Sequence, residues 1–409
     1  MYETQITANH TLAQTTSFEA LHVNKQIRVD TRSRVLWMCS SLGANSERWM
    51  NRMIDDVSDL LCGIVVSGCD FSHYGDIPVD SIERYWRPRR ALFRIGLGPN
   101  RRAVTQRRLA NLIESRRPKV VITNFLDWSI QFSEVLNDSG AAVLCHTHGY
   151  DQVPNLRWQT PPYQRAHPDN YRERILAETG SWRYLANSQY SLEALCHLGI
   201  DRGRIHLKPF GYSSAGGLGT DPKRTRFLYI GRLVDCKGPI ETIRAFEMAC
   251  ASGLDAELII AGDGPLREAC DKACEASEYS SRIKLLGSVS EEVCQQLRQT
   301  ATAFVAHSRT GPISGQTEAF GVAFLEALAC GLPVITGASG GVKEIVTHDK
   351  SGILFEPGDI EAQARSFLAV ANDPDLRARL RVGALADAQL YSVERSRARL
   401  REIIEGYLS

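Results

Sequence analysis

Short apolar runs alternate with helix-like segments along most of the 409 residues, and this alternation constrains the fold more than any other feature of the sequence. The runs are typical of strands because they are short, rich in Val, Ile and Leu, and bounded by Gly, Ser or Asn. Strands that alternate with helices favour parallel sheets covered on both faces. The strand candidates are 34–39, 60–68, 119–125, 141–149 and the start of 183–200, and then 226–233, 256–264, 282–289, 302–308 and 332–338.

A compositional break divides this alternation into two units. Residues 213–226, SSAGGLGTDPKRTR, concentrate Gly, Ser, Pro and charge, which is typical of a linker. The sequence therefore predicts an α/β protein of two Rossmann-like, doubly wound domains. We expect a polar N-terminal extension at 1–32, a first domain at 33–212, a second at 213–390, and a C-terminal helix at 391–409 that returns to the first domain.

The composition is that of a soluble globular protein of enzyme size. A formal net charge of +1, with 43% hydrophobic and 23% charged residues, lacks the global basicity of a nucleic-acid binder. The longest apolar run, at 60–69, is about half of the roughly 20 residues that a membrane-spanning helix needs. The N-terminal stretch MYETQITANHTLAQTTSFEA lacks the basic and apolar regions of a secretion signal. We expect a cytoplasmic protein with no nucleic-acid partner.

The eleven cysteines are an odd number and are scattered through apolar or helix-like contexts, without paired CxxC sets. This usage favours reduced core thiols over disulfides or a zinc site.

The junctions between strands and helices are where ligands bind in open parallel sheets, because Gly-rich turns and helix N-termini present backbone N–H groups there. In YIGRLVDCKG, Gly231 ends a strand, and Arg232 and Lys237 follow within reach of a diphosphate that they would clamp from two sides. In isolation, such charges are more often simply solvated. The turn AGDGP, with Gly262 and Gly264, is by itself more often turn chemistry than a ligand site.

Glu318 and Glu326 enclose an otherwise apolar segment, EAFGVAFLE. Eight positions make about two and a quarter helical turns, so Glu318 lies at the helix entrance and Glu326 on its body. The carboxylates are therefore two acceptors for different hydroxyl-bearing parts of one extended ligand, with a sugar near Glu318 and a ribose near Glu326. An N-terminal dipole partner and an incidental helix glutamate remain an open alternative. The backbone N–H groups that would face a phosphate belong to Ala319, Phe320, Gly321 and Val322.

Two histidines, His146 and His148, alternate along the end of the predicted strand VLCHTHG. His148 lies closer to the carboxyl edge, where a neutral imidazole can bind a substrate hydroxyl or support charge in a reaction centre. A structural histidine is an equally open interpretation. An HxH pair also suggests a metal, but the sequence offers no convincing third ligand.

Five motifs, taken in order, resemble the nucleotide-sugar half of retaining GT-B glycosyltransferases of the bacterial group 1, or glycogen-synthase-like, family. The motifs are GRL followed by Lys237, AGDGPLRE, EAFGVAFLEALACGLPVI, GGVKEIV at 340–346 and SGILFEPGD at 351–359. The resemblance is strong over 226–360 and loose over the first half. It implies two Rossmann-like domains that face each other across a cleft.

The resemblance also implies the roles of individual residues. Arg232 and Lys237 would clamp the donor diphosphate, Glu318 would contact the donor sugar, Glu326 would accept the ribose hydroxyls, and Gly287 to Val289 would hold the base. Together with Gly231, Gly262 and the N–H groups of 319–322, these residues make up the expected donor site.

On the acceptor side, His148 matches the N-domain histidine of the pattern, which would contact the donor sugar. The expected catalytic residues are thus His148, Glu318, Arg232 and Lys237. The family usually carries two adjacent glycines in its first loop, whereas SSLGANSERW has only Gly43. Gly43 and Asn45 are the acceptor-side candidates in that loop.

The implied reaction is transfer of a sugar, with retention of configuration, from a nucleoside diphosphate sugar to a hydroxyl acceptor in cell-surface polysaccharide, glycolipid or glycoconjugate synthesis. A UDP-sugar is the favoured donor and a GDP-sugar is next, with no metal and no cofactor beyond this co-substrate. A non-catalytic nucleotide-sugar-binding partner protein and a GT-B sugar-nucleotide epimerase are the alternatives.

Residues 84–119 are the sharpest local charge feature, with twelve Arg or Lys, the single acid Glu114, and interleaved Tyr85, Trp86 and Phe93. Such a stretch suits peripheral contact with an anionic membrane at the inner face, or a lipid-linked or phosphate-bearing acceptor. A solvated basic face with internal ion pairs is the competing interpretation.

Overall fold

The computed structural model describes residues 34–42, 48–83, 100–158, 165–212 and 224–408. Two parallel sheets, one on each side of the predicted linker, organise these residues into two α/β units. The predicted two-domain, doubly wound architecture is therefore confirmed. The linker itself, apart from its last residues, lies outside the described ranges.

The first unit contains an eight-stranded sheet with the order β10-β9-β6-β5-β1-β2-β4-β3, in which only the β3–β4 pair is antiparallel. β1 lies between β2 and β5, so the chain winds outward in both directions from this point. A short antiparallel pair, β7 and β8, stands apart from the sheet. The strands are Val35–Cys39 (β1), Leu61–Val66 (β2), His73–Tyr74 (β3), Ile77–Ser81 (β4), Val120–Asn124 (β5), Ala142–His146 (β6), Arg157–Trp158 (β7), Arg165–Ala166 (β8), Arg183–Ala186 (β9) and Ile205–Leu207 (β10).

Two helices of the first unit, which start at Arg101 and Gln189, begin where a polar side chain caps them. Asn100 accepts a hydrogen bond from the Ala103 N–H at 2.8 Å, and Ser188 accepts one from the Ser191 N–H at 2.9 Å. The helices are Arg48–Asp56 (α1), Arg101–Arg116 (α2), Leu126–Ser129 (α3), Ser133–Asn137 (α4), Tyr171–Glu178 (α5) and Gln189–His197 (α6).

The second unit contains a six-stranded parallel sheet with the order β13-β12-β11-β14-β15-β16. Its first strand lies in the middle, with β12 on one side and β14 on the other, which makes the β11/β14 boundary the switch point of the winding. The strands are Arg226–Ile230 (β11), Glu257–Ala261 (β12), Ile283–Gly287 (β13), Ala303–Val305 (β14), Val334–Gly337 (β15) and Gly352–Phe355 (β16). The helices are Pro239–Ala251 (α7), Arg267–Ala276 (α8), Glu291–Gln299 (α9), Val322–Ala329 (α10), Val342–Ile345 (α11), Ile360–Asn372 (α12) and Pro374–Gln389 (α13).

The last helix, Val393–Leu408 (α14), packs against the first unit. The Ser396 hydroxyl donates to the Pro209 carbonyl at 3.0 Å, and Arg397 pairs with Asp56 at 2.7 Å. The chain thus leaves the second unit to end on the first.

The cysteines and the lengths of the helices bear on two further expectations from the sequence. All eleven cysteines are free, and eight of them are buried, so the predicted reduced core thiols are consistent with the structure. Among the helices in the described ranges, none is both long and apolar enough to cross a membrane.

Candidate functional site

The carboxyl ends of β11 and β14 bring two loops together at the switch point of the second sheet. Lys237, in the loop after β11, forms an ion pair with Glu318, in the loop after β14. The two side chains are each 16% exposed, so the pair is partly desolvated while still reachable by a ligand. The fold therefore places two of the predicted site residues in direct contact, although 81 positions separate them in the sequence.

Glycines let the loop after β11 approach its neighbours closely. A Cβ on Gly262 would lie 1.9 Å from the Gly231 carbonyl oxygen, so any side chain at Gly262 would displace the loop. The Lys237 side chain runs past Gly231, where an added Cβ would lie 3.3 Å from the lysine Cδ. Arg232 is exposed at the surface of this loop, and its carbonyl accepts a hydrogen bond from the Tyr229 hydroxyl at 2.9 Å.

Asp235 joins the two loops, and the sequence analysis did not identify it. Its carboxylate accepts the backbone N–H groups of Ile313 and Ser314, both at 2.8 Å, and the Ser314 hydroxyl at 2.7 Å. The side chain is buried, with 7% exposure. A buried carboxylate that accepts three hydrogen bonds from the loop that leads into Glu318 fixes that loop relative to the one that carries Lys237. Its only sequence signal is its position inside the VDCKG segment.

Residues 318–322 form the turn into α10. Gly321 has φ of 97°, which favours glycine, and Val322 is the first helical residue. Within the described part of the chain, the N–H groups of Ala319 to Val322 donate to no protein acceptor. The carbonyls of the same turn are occupied, because Glu318 O accepts the Gly341 N–H at 2.9 Å and Ala319 O accepts the Ser188 hydroxyl. The turn is therefore anchored through its carbonyls, and the binding of a ligand by its N–H groups stays a prediction.

Glu326 lies one helical turn further along and is held by two arginines. Arg298 of α9 approaches its carboxylate at 2.5 Å and Arg52 of α1 at 3.9 Å. Burial raises the pKa of Glu326, and the positive charge of Arg298 opposes that shift. Arg298 is 1% exposed and also pairs with Glu291 at 2.8 Å. Neither arginine was identified from the sequence. Glu318 and Glu326 thus have different partners, as two acceptors for different parts of one ligand require.

His148 follows β6 and lies in an aromatic cluster. Its ring centroid is 4.3 Å from that of Trp49 and 4.4 Å from that of Phe125. Burial, and then the nearby Lys208, hold the pKa of His148 well below its ordinary value, so the ring is neutral. Among the described residues, its Nε2 is buried and has no hydrogen-bond partner. His146, the last residue of β6, is fully buried in the same cluster.

Asp151 holds the turn that carries His148. Its carboxylate accepts the His148 N–H at 2.8 Å and the Leu126 N–H at 2.9 Å. Burial, together with the nearby Asp127 carboxylate, raises the pKa of Asp151 to about 7.

The described ranges contain no group of three or more His, Cys, Asp or Glu residues that could hold a metal ion.

The two units touch beside the site. The Glu344 carboxylate, from GGVKEIV, accepts the N–H groups of Gln189 at 2.8 Å and Tyr190 at 2.7 Å, and so caps α6 of the first unit. A Cβ on Gly149 would lie 2.8 Å from that of Ala319. The residue after His148 therefore meets the residue after Glu318.

Three predicted site residues remain, which are Val289, Gly43 and Asn45. Val289 is half-buried in the loop between β13 and α9, at the same edge of the sheet as the loop after β11. Gly43 and Asn45 lie outside the described residues, so the acceptor-side prediction for them stays a prediction.

Two family profiles match the chain. The profile described as "Glycosyl transferases group 1" matches residues 215–385, and "Glycosyltransferase Family 4" matches residues 64–213. One profile therefore falls on each α/β unit.

Two curated relatives and a solved structure illustrate the similarity. A Corynebacterium glutamicum protein named GDP-mannose-dependent monoacylated alpha-(1-6)-phosphatidylinositol monomannoside mannosyltransferase is 33% identical over 36% of this chain and 38% of its own length. The D-inositol 3-phosphate glycosyltransferase of Pseudarthrobacter chlorophenolicus is 26% identical over 62% of this chain and 63% of its own length. The chain thus matches less than two thirds of either relative.

The solved structure is Anabaena Alr3699/HepE in complex with UDP, which aligns with a TM-score of 0.71. It is 16% identical, and the alignment covers 91% of this chain and 100% of that one. A likeness at this level of identity concerns the fold, which is GT-B.

Proposed function

We propose that this chain, whose two units match the group 1 and family 4 glycosyltransferase profiles, transfers a sugar from a nucleoside diphosphate sugar to a hydroxyl acceptor. The observation that carries this proposal is the Lys237–Glu318 pair at the switch point of the second sheet, beside the N–H groups of 319–322, which have no acceptor among the described residues. A cation, an anion and free backbone donors at one sheet edge suit a ligand that has both phosphates and hydroxyls.

In the proposed donor complex, Lys237 exchanges its partner from Glu318 to a phosphate oxygen. Arg232 and the N–H groups of 319–322 complete the neutralisation of the diphosphate, which gains charge as the glycosidic bond breaks. Glu318 is then free to accept hydrogen bonds from the hydroxyls of the donor sugar. The ion pair seen in the structure thus keeps both groups oriented until the donor arrives.

We further propose that Glu326 accepts the ribose hydroxyls, with Arg298 positioning its carboxylate. Because the pairing with Arg298 opposes the effect of burial, it keeps the carboxylate available as an acceptor. A UDP-sugar is our first choice of donor, supported by the fold shared with a protein solved with UDP. A GDP-sugar is the second, supported by the relative named for GDP-mannose.

The neutral His148 suits a hydrogen bond to the donor sugar rather than a charged role. In a retaining, front-face transfer, the departing phosphate accepts the proton of the acceptor hydroxyl, so the protein supplies no separate base. We include retention and the use of side-chain cations for the leaving diphosphate in the proposal, on the strength of the motifs around Lys237, Glu318 and Glu326.

The basic stretch 84–119 bears on where the protein works. In its described part, Arg101 pairs with Glu83, and both Arg108 and Arg116 pair with Asp80, so much of the charge is satisfied internally. Arg107 and Arg117 are exposed, and residues 84–99 lie outside the described ranges. We propose a cytoplasmic protein that contacts anionic lipid at the inner face of the membrane through this stretch. Sedimentation with vesicles would test the contact, and equal binding to neutral vesicles would contradict it.

The test of the function is release of nucleoside diphosphate from UDP-glucose, UDP-galactose, UDP-N-acetylglucosamine and GDP-mannose, with and without a crude lipid and polysaccharide extract as acceptor. We expect one donor to be consumed, faster with acceptor present, and consumption to be lost in Lys237→Ala. Binding of a donor without any consumption would instead favour a non-catalytic nucleotide-sugar-binding protein. Conversion of the sugar while it remains attached to the nucleotide would favour an epimerase.

A further inference from the structure

A cavity of about 250 Å³ lies between the two units, beside the proposed reaction centre. Gly149, which lines it, follows His148 in the sequence, and Thr317, which also lines it, precedes Glu318. The cavity is therefore lined by the immediate sequence neighbours of both residues that are proposed to contact the donor sugar. Its lining residues are Gly149, Gln152, Val153, Pro154, Tyr190, Ala194, His197, Leu198, Gly315 and Thr317.

Both walls of the cavity are held in place. On the first unit, Gln152 donates through its side-chain amide to the Thr147 hydroxyl at 2.6 Å and to the Ser191 hydroxyl at 2.5 Å. On the second unit, the loop with Gly315 and Thr317 is the one that Asp235 fixes. A cavity with anchored walls on both sides suits a ligand of defined shape.

The walls carry hydrogen-bonding groups and an aromatic ring but no fixed charge. The ten lining residues, all of which the structure describes, include no Lys, Arg, Asp or Glu. Tyr190, His197 and Thr317 supply a phenol, an imidazole and a hydroxyl, and Gln152, whose amide N–H groups are both already bonded, supplies its side-chain oxygen as an acceptor. This is the chemistry that recognises neutral hydroxyl groups, with a ring for the apolar face of a sugar.

The nearby helix N-terminus is not available to an anion. Helix N-termini ordinarily attract phosphate, and α6 begins beside this cavity with Gln189 and Tyr190. The Glu344 carboxylate already accepts both of these N–H groups. A phosphate at this end of the cavity would meet a carboxylate in place of free donors, so the site disfavours phosphorylated ligands.

The volume points to a small ligand group. Pockets for drug-sized molecules occupy about 300–1,000 Å³, so 250 Å³ suits one sugar or polyol ring. We propose that this cavity binds a neutral, hydroxyl-rich ring of the acceptor, held by Gln152, Tyr190, His197 and Thr317. The inference rests on the proposed glycosyl transfer and narrows its acceptor to a glycoside or polyol whose reacting ring carries no phosphate.

The test fills the cavity and leaves the donor site unchanged. Ala194→Trp places an indole in the cavity, and Glu193→Trp places the same group on the exposed face of the same helix as a matched control. The probes are methyl α-glucoside, methyl α-mannoside and myo-inositol, together with glucose 6-phosphate, mannose 6-phosphate and inositol 1-phosphate. Binding is measured by saturation-transfer NMR with the full chain and saturating UDP or GDP.

We expect at least one neutral probe to bind the wild type and Glu193→Trp, and to bind Ala194→Trp at least ten-fold more weakly. Tyr190→Ala, which removes only the ring, should also weaken this binding, so the test does not depend on whether the larger side chain is tolerated. Tighter binding of the phosphorylated partner, no binding of any neutral probe, or binding unaffected by both cavity variants would overturn the inference.

Failure of the proposed function would look different. If the chain is not a glycosyltransferase, no nucleoside diphosphate is released from any donor, with or without acceptor, whatever the cavity contains. If only the acceptor assignment is wrong, the chain still binds the nucleotide and consumes the donor. In that case no neutral probe binds, a phosphorylated probe binds more tightly than its neutral partner, or both cavity variants leave the binding unaffected.

Discussion

The two faces of the cleft solve different chemical problems with different side chains. The face on the second unit is charged, with Lys237 paired to Glu318 and Arg298 paired to Glu326. The face on the first unit is neutral and aromatic around His148, which lies among Trp49 and Phe125, while Arg52 of that unit reaches across to Glu326. Charges that pair with each other can exchange partners when a charged ligand arrives, whereas a neutral aromatic face recognises shape and hydroxyl groups. This difference is the reason why we propose the diphosphate site on the second unit.

The two faces also differ in whether their buried cation is paired with a carboxylate. Arg298 is buried but paired with two carboxylates. Lys208, on the first unit, is fully buried, and its Nζ has no hydrogen-bond partner among the described residues. Burial lowers the pKa of Lys208 to about 7, although the charge of Asp56 favours protonation. Of these two buried cations, only Arg298 therefore stays firmly charged.

The substitution with the largest expected effect removes the cation from the charged face. Lys237→Ala should lower kcat by about 10²- to 10³-fold, as expected for loss of a group that stabilises charge in the transition state. Lys272→Ala is a matched control, because it breaks an exposed Lys–Glu pair of the same unit, with Glu268. Steady-state kinetics with the accepted donor would check both variants. Full turnover of Lys237→Ala under rate-limiting chemistry would show that the cation is not needed.

The next effect should fall on binding rather than on turnover. Glu326→Ala should weaken binding of the nucleoside diphosphate by about ten-fold or more, because two hydroxyls lose a charged acceptor. Isothermal titration would measure the affinity, and the 2′,3′-dideoxynucleotide is the internal control. If the dideoxy analogue loses as much affinity as the natural nucleotide, Glu326 does not act through the ribose.

A smaller effect is expected from the residue that links the loops of the charged face. Asp235→Ala should lower kcat by about ten-fold through loss of three hydrogen bonds to the loop that leads into Glu318. Asp235→Asn retains one side-chain oxygen and should recover part of the rate. Binding of the nucleotide alone should change little in both variants. An equal loss in nucleotide affinity and in kcat would indicate general disruption of the domain instead.

The neutral face should give the smallest effect on activity. Lys208→Met should leave donor affinity unchanged and raise the free energy of unfolding at pH 7 by about 1 kcal/mol or more, because it replaces an unpaired buried amine. Between pH 7 and about 10.5 the unfolded chain binds the Lys208 proton and the folded chain does not, so wild-type stability gains with rising pH in that window. The advantage of the variant should therefore be full at pH 6.5 and shrink by pH 10 in thermal melts. If Lys208→Met were more stable than the wild type by the same amount at pH 6.5 and at pH 10, the lowered pKa of Lys208 would be contradicted.

The fold could be predicted from the sequence because alternating strands and helices are a local signal. Lys237 and Glu318 could each be identified as candidate site residues, because both lie in strand-to-helix junctions. Asp235 and Arg298 were missed for a physical reason. Their function depends on partners 78 and 28 positions away, and no local pattern encodes that contact. Asp151, which fixes the turn after β6, was missed for the same reason, because its carboxylate accepts the N–H of Leu126, 25 positions away.

The measurement that tests the account most directly is a thermal-shift panel of UDP, GDP, ADP and their common sugar conjugates with the wild type, Lys237→Ala and Glu326→Ala. A ligand that binds only the folded state raises Tm by mass action, and the shift grows with the ratio of the ligand concentration to Kd. The account predicts that one nucleoside diphosphate and its sugar conjugate stabilise the wild type, and that this shift is lost in Glu326→Ala and reduced in Lys237→Ala. No shift with any nucleotide, or the same shift in all three proteins, would contradict a donor site on the charged face of the second unit.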